Sequence, residues 1–104
     1  MPYKRKVQPA ARLDTEGRAV RGVVQLVGRI YVVCREFNVV LVFEAHGSYA
    51  RLPDIVVKDM KDPRDIAAFP ATDQLFITDY DGDCVWRVDR DATDEHSVCY
   101  RIQV

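Results

Sequence analysis

The chain has 104 residues, 48% of them hydrophobic and 30% charged, with Lys+Arg 15 against Asp+Glu 16 and a formal net charge of −1. That balance belongs to one globular domain and excludes disordered, fibrous and coiled-coil classes; without a strong net field, nothing global draws the chain to nucleic acid or to an anionic bilayer. Uninterrupted apolar runs such as Val39 to Phe43 fall far short of the roughly 18 residues of a spanning helix. Met1 to Arg12 lacks the apolar stretch of a secretory leader. The chain therefore reads as a cytoplasmic protein with no membrane partner.

In chain order, residues 1–17 read as a flexible basic segment. Residues 1 to 29 carry seven basic groups against Asp14 and Glu16, whereas 74 to 95 carry seven acids against Arg87 and Arg90. Lys4, Arg5 and Lys6 resemble a nucleic-acid arm, but short charged termini are usually solvated. From there the signal is strands without helices. Ala19 to Val24, Arg29 to Cys34, Asn38 to Glu44 and Arg51 to Val57 form one group. Arg64 to Phe69, Gln74 to Asp79, Cys84 to Asp89 and Ser97 to Gln103 form the next. Most are β-branched or aromatic runs, with turn residues between them at Arg35-Glu36-Phe37, His46-Gly47-Ser48, Asp62-Pro63, Pro70 to Asp73 and Tyr80 to Asp83. No window holds an i, i+3, i+4 stripe, so no helix beyond about two turns is expected. Strands apolar on both faces, such as Val39 to Phe43, predict sheets packed between other layers.

Sliding the chain by 45 residues superposes it on itself without a gap. Ile30 meets Leu75, Tyr31 meets Phe76, Val32 meets Ile77, Val40 meets Val85 and Phe43 meets Val88. Residue class and turn position agree, although Val40/Val85 is the single identity between 29 and 44. A unit of 45 residues with four strands is the period of a β-propeller blade. It divides the chain into residues 18–62 and 63–104.

The cadence Pro63-Arg-Asp-Ile-Ala67, Leu75-Phe-Ile-Thr-Asp79, Cys84-Val-Trp-Arg-Val-Asp89 resembles NHL-type propeller repeats. It is also similar to the YWTD repeats of lipoprotein receptors, with Phe76-Ile-Thr-Asp79 in the place of that tetrapeptide, and to gluconolactonase-like propellers. The resemblance implies an all-β fold of two consecutive four-stranded antiparallel blades, an incomplete β-propeller. Asp65 stands where the repeats carry glycine, Cys34 stands where the strand-ending aspartate of the second unit would fall, and no P-x-G-I is evident near Ala19 to Val23. Two blades cannot close a ring of four to eight. Two apolar faces are therefore expected to stay open, driving the isolated chain to unfold, aggregate or self-associate.

Candidate chemistry is sparse. Asp79, Asp81 and Asp83 alternate as oxygen ligands for Ca²⁺ would, but Gly82 falls fourth and Arg90 twelfth, against the glycine sixth and glutamate twelfth of a calcium loop. The alternative is a hairpin in which Asp81-Gly82 supplies positive φ and Asp79 caps the turn through backbone N–H groups. In gluconolactonase-like propellers polar residues entering the central channel hold metal, and Asp65 resembles one of them. His46 and His96 lack ligand spacing, and Cys34, Cys84 and Cys99 form no C-x-x-C. Trp86 with Arg87 has the composition of an interface hot spot, yet Trp86 in an alternating strand is expected in the core.

The expectation is a non-catalytic interaction module, a piece of a longer NHL-like propeller, that binds a protein partner or itself. No catalytic residue, cofactor, metal ligand or small-molecule substrate is assigned, and nucleic acid is disfavoured by charge. The alternatives are part of a calcium-dependent gluconolactonase-like hydrolase and an extracellular YWTD-type receptor fragment.

Overall fold

The computed structural model describes residues 12–89 and 99–103. The basic arm at Lys4 to Lys6 and the side chains of His96 and Cys99 lie outside the described residues. Among the described residues there are eight strands: β1 (Val20–Leu26), β2 (Arg29–Cys34), β3 (Val39–Glu44), β4 (Arg51–Val56), β5 (Pro63–Phe69), β6 (Gln74–Asp79), β7 (Cys84–Asp89) and β8 (Cys99–Gln103). They form two four-stranded antiparallel meanders, β1-β2-β3-β4 and β5-β6-β7-β8. A single 3-10 turn at Pro70–Thr72 is the only helical element among the described residues. Pro53 is accommodated because β4 is an edge strand, where a missing N–H breaks no ladder.

The two sheets share one register. Ile30 pairs with Phe43 and Val32 with Leu41; 45 residues on, Leu75 pairs with Val88 and Ile77 with Trp86. The first strands instead match at an offset of 43: Gly22 pairs with Val33, and Asp65 with Thr78. The cause is the hairpin. β1 and β2 are joined by Val27 and Gly28 alone, with φ of 47° and 73°. Two positive φ values in a two-residue loop are the type I′ arrangement, whose twist matches the flanking strands. β5 and β6 are joined by four residues, Pro70 to Asp73.

No P-x-G-I stands in the first unit, but the offset of 43 identifies the residues that answer it. Val20-Arg-Gly-Val-Val24 occupies the positions of Pro63-Arg-Asp-Ile-Ala67, and both strands shift register at the same step, Val20/Gly22 and Pro63/Asp65. Gly22 is where the sheets press together. A Cβ there would lie 3.1 Å from Asp65 Oδ1, from Ile66 Cγ2 and from the Ile66 nitrogen. The sheets approach most closely at β1 and β5, with β2 next against β5.

One core fills the space between the sheets. From the first it takes Leu26, Tyr31, Val33, Val40, Val42 and Ile55, with Val57 and Met60 from the connection; from the second it takes Ile66, Leu75, Ile77, Cys84, Trp86 and Val88. The apolar runs lead one to expect Ile30, Val32, Val40, Val42, Ile66, Leu75, Ile77, Val85, Trp86 and Val88 to be buried; all are except Ile30 and Val85, which are half-buried.

Positions 45 apart do not face each other across this core. Tyr31, Val40 and Val42 point into it, but their counterparts Phe76, Val85 and Arg87 lie on the far side of the second sheet. Conversely Ile77, Trp86 and Val88 point in, and their counterparts Val32, Leu41 and Phe43 lie on the far side of the first. The sheets are therefore stacked in the same sense, front of one on back of the next, not related by a two-fold axis.

The far side of the first sheet is not open, contrary to the expectation of two uncovered apolar faces. Val32, Cys34, Leu41 and Phe43 are 0–1% exposed there. Leu13 packs on this cluster together with Ile30, Phe37 and Val39. The approach to β1 is held over it by charge. The Arg18 guanidinium sits 3.5 Å from the centre of the Phe37 ring, and Glu16 meets Arg51 at 3.4 Å. Flexibility as far as residue 17 is the sequence expectation; Leu13 instead docks on this cluster, because taking an isolated leucine and the apolar surface it meets out of water is favourable.

Candidate functional site

The polar centre of the molecule lies where β6 ends. Asp79 is 3% exposed and its carboxylate accepts four hydrogen bonds. Oδ1 receives the Asp62 N–H at 2.9 Å and the Gly82 N–H at 3.2 Å; Oδ2 receives the Lys61 N–H at 3.0 Å and the Trp86 indole N–H at 3.0 Å. Burial alone raises its pKa, but the four donors outweigh burial, led by Trp86 and followed by Asp62, Lys61 and Gly82, and hold the carboxyl below its ordinary value.

Asp62, itself 6% exposed, carries the link onward. Its Oδ1 accepts the N–H of Glu36 at 2.9 Å, in the β2–β3 turn of the first sheet, and its carbonyl accepts the N–H of Tyr80 at 3.0 Å. Three segments are thereby tied into one surface: the β2–β3 turn, the connection between the sheets and the β6–β7 turn. On it, Arg35, Glu36, Arg64, Tyr80, Asp81 and Asp83 are exposed. Arg64 stacks over the Tyr80 ring at 4.2 Å and reaches to 3.8 Å from Asp62 Oδ2. Tyr80 remains 64% exposed beneath it.

Asp79 caps the β6–β7 turn as the sequence predicts, but the glycine does a different job. Positive φ falls on Asp83 (51°), not on Gly82. Gly82 is required by proximity: a Cβ there would stand 2.6 Å from Asp79 Oδ2 and 2.9 Å from its Cγ. A carboxylate pinned by four donors cannot withdraw. Gly82→Ala is expected to cost about 1–3 kcal/mol, the usual cost of overpacking a filled site, read as a lower urea midpoint with an unchanged slope.

The other candidates do not come together. Among the described residues no three His, Cys, Asp or Glu side chains are grouped to hold a metal ion. Asp81 and Asp83 are exposed, whereas Asp79 is turned inward onto its donors. Asp65, at the exposed face of β5, uses Oδ1 to accept the N–H of Ile66 at 2.9 Å. His46 is exposed, with Nε2 3.3 Å from Glu44. Trp86 is 7% exposed, a core residue whose indole also serves the carboxylate. Cys34 and Cys84 are buried free thiols; burial raises the Cys34 pKa, with Arg18 pulling the other way.

The first unit handles the same position differently. Cys34 replaces Asp79 and Leu41 replaces Trp86, so a buried acceptor and its indole donor are exchanged together for two apolar groups. The backbone bond at this corner is retained: Arg35 N–H donates to Ala19 O as Tyr80 N–H donates to Asp62 O. Sequence reasoning did not single out Asp62. Its one visible signal is that it precedes Pro63 in a turn, which does not distinguish a buried brace from a solvated aspartate.

No family model, curated protein or solved structure matches the chain.

Proposed function

We propose that this chain is a non-catalytic interaction module, two units of a larger propeller-like stack, that presents the Asp79-braced loop surface to a protein partner. The observation that carries the reading is the same-sense stacking. Residues 45 apart occupy opposite sides of the interface, the relation that successive propeller blades have, and the sheets draw together at β1 and β5, as blades do near an axis. Two such units fall short of the four to eight that close a ring. The rest of the ring is supplied by further units of the same kind.

The loop surface supports the binding half of the reading. Two buried carboxylates fix its backbone, so little ordering entropy is lost on contact. It displays an arginine stacked on a largely exposed tyrosine, the residue types that dominate binding hot spots. An acidic pair, Asp81 and Asp83, flanks them.

The test is affinity capture by the immobilised chain, wild type beside the double variant Tyr80→Ala, Arg64→Ala. A binding surface centred there predicts a captured protein whose retention falls at least tenfold in the variant, while the thermal melt stays within about 0.5 kcal/mol of wild type, as for surface substitutions generally. Equal retention by both chains overturns the assignment of this surface.

A further inference from the structure

The stack has polarity: its first face is covered from within the chain, whereas its last keeps exposed apolar side chains among the described residues. The far side of the second sheet carries Phe69, Phe76, Val85 and Ile102, with Ala67, Thr78 and Arg87 among them. Phe69 is 51% exposed and Ile102 is 44% exposed; Phe69 packs edge-on against Phe76, ring centres 4.8 Å apart. The equivalent positions of the first sheet, Tyr31, Val33, Val40 and Val42, are 0–3% exposed because the second sheet sits on them.

We infer that this face is the acceptor for one further four-stranded unit, docked on the second sheet as the second sheet docks on the first, and that it does not receive a second copy of this chain. The inference rests on the stacking reading above. Continuity with the existing interface names the occupant's chemistry: an apolar sheet face of the kind formed by Ile66, Leu75, Ile77, Trp86 and Val88. A second copy would have to offer its own matching face, Val32, Cys34, Leu41 and Phe43. In this chain that face already holds Leu13, with Arg18 stacked on neighbouring Phe37. A ring made of copies would first have to strip this cover from every protomer. Thr78 and Arg87 in place of Val33 and Val42 make the open face more polar than its counterpart, as suits a surface that is not wholly apolar before docking.

The experiment compares the 104-residue chain with the same chain extended by a second copy of residues 63–104, and with that extended chain carrying Phe76→Asp in its middle unit only. The appended unit is the probe because its inner face already fits the equivalent positions. Docking predicts a monomeric extended chain that melts several degrees higher and binds severalfold less of a hydrophobic dye per molecule, with both gains lost in the Phe76→Asp version. In the 104-residue chain Phe76→Asp should lower dye binding, and the small drop in melt it causes there through the lost Phe69 contact is the baseline against which the extended chain is read. An appended unit that leaves melt and dye binding unchanged, whether folded or not, overturns the inference. So does a stable dimer of the 104-residue chain that Phe76→Asp dissociates, since the occupant would then be a second copy. Methyl contacts between the Val40/Val42 face and the Ile66/Ile77 face, read in the same samples, separate the two levels. If they persist while docking fails, the acceptor face alone is wrong; if they are absent, the stacking reading falls with it.

Discussion

Replacing Asp79 with asparagine is expected to remove about 3–5 kcal/mol of stability, much of the 5–15 kcal/mol available to a domain of this kind. Asparagine keeps one acceptor oxygen and turns an amide NH₂ toward two of the four donors. The N–H groups of Lys61 and Asp62, the Gly82 N–H and the Trp86 indole cannot all be satisfied, and each buried orphan costs roughly 1–3 kcal/mol. Urea denaturation checks it; a loss below about 1 kcal/mol would show that water or rearrangement replaces the carboxylate. The same group makes the fold acid-sensitive. Its folded pKa lies below its unfolded value, so around and below that value the unfolded chain binds more protons and stability rises with pH. The contribution is complete above the ordinary carboxylate value of about 3.9 and is lost as pH falls through the folded value. Between pH 6 and pH 2.5 the wild-type chain should therefore lose more stability than Asp79→Asn does. Equal losses would assign the acid sensitivity elsewhere.

Trp86→Ala is expected to cost a further about 3–5 kcal/mol, the range for truncating a large buried aromatic. Two effects are combined in that figure, and Trp86→Phe separates them. Phenylalanine keeps most of the packing between the sheets but removes the indole N–H, leaving Asp79 Oδ2 with the Lys61 N–H alone, at about 1–2 kcal/mol. A double-mutant cycle over Asp79→Asn and Trp86→Phe should give a coupling of about 0.5–3 kcal/mol. Additive losses would mean that the hydrogen bond contributes nothing measurable. In the first unit, Leu41→Trp alone should not stabilise, because Cys34 offers no carboxylate to its indole.

Strand positions were legible because they rest on local chemistry. β2, β6 and β7 occupy the segments that their β-branched and aromatic runs predict, β1, β3, β4 and β5 differ by one or two residues at their ends, and the start expected for β8 at Ser97 lies outside the described residues. The 45-residue offset was legible for the same reason in β2, β3 and the strands that answer them. It failed at β1 because a two-residue hairpin, with Val27 forced to φ 47°, carries no Asn-Gly or Asp-Gly signature. Two residues missing from one turn were enough to hide that Gly22 answers Asp65. The cover on the first sheet was illegible for another reason: Leu13 is a lone apolar residue among charges, and nothing local says what surface it meets. At Asp79 the capping role could be read from spacing, but its indole partner seven residues away and the relay through Asp62 are tertiary contacts with no sequence period.

The two sheets stack in the same sense, so that equivalent residues lie on opposite sides of their interface. Methyl and aromatic nuclear Overhauser contacts in the 104-residue chain test it directly. Contacts are expected that join Tyr31, Val33, Val40 and Val42 to Ile66, Leu75, Ile77 and Val88, with none joining Val32, Leu41 or Phe43 to that second set. Leu13 should show contacts to the Val32, Leu41 and Phe43 cluster. Contacts between Val32 or Leu41 and Ile77 or Trp86 would place equivalent faces together, the pattern of a two-fold sandwich, and would contradict it.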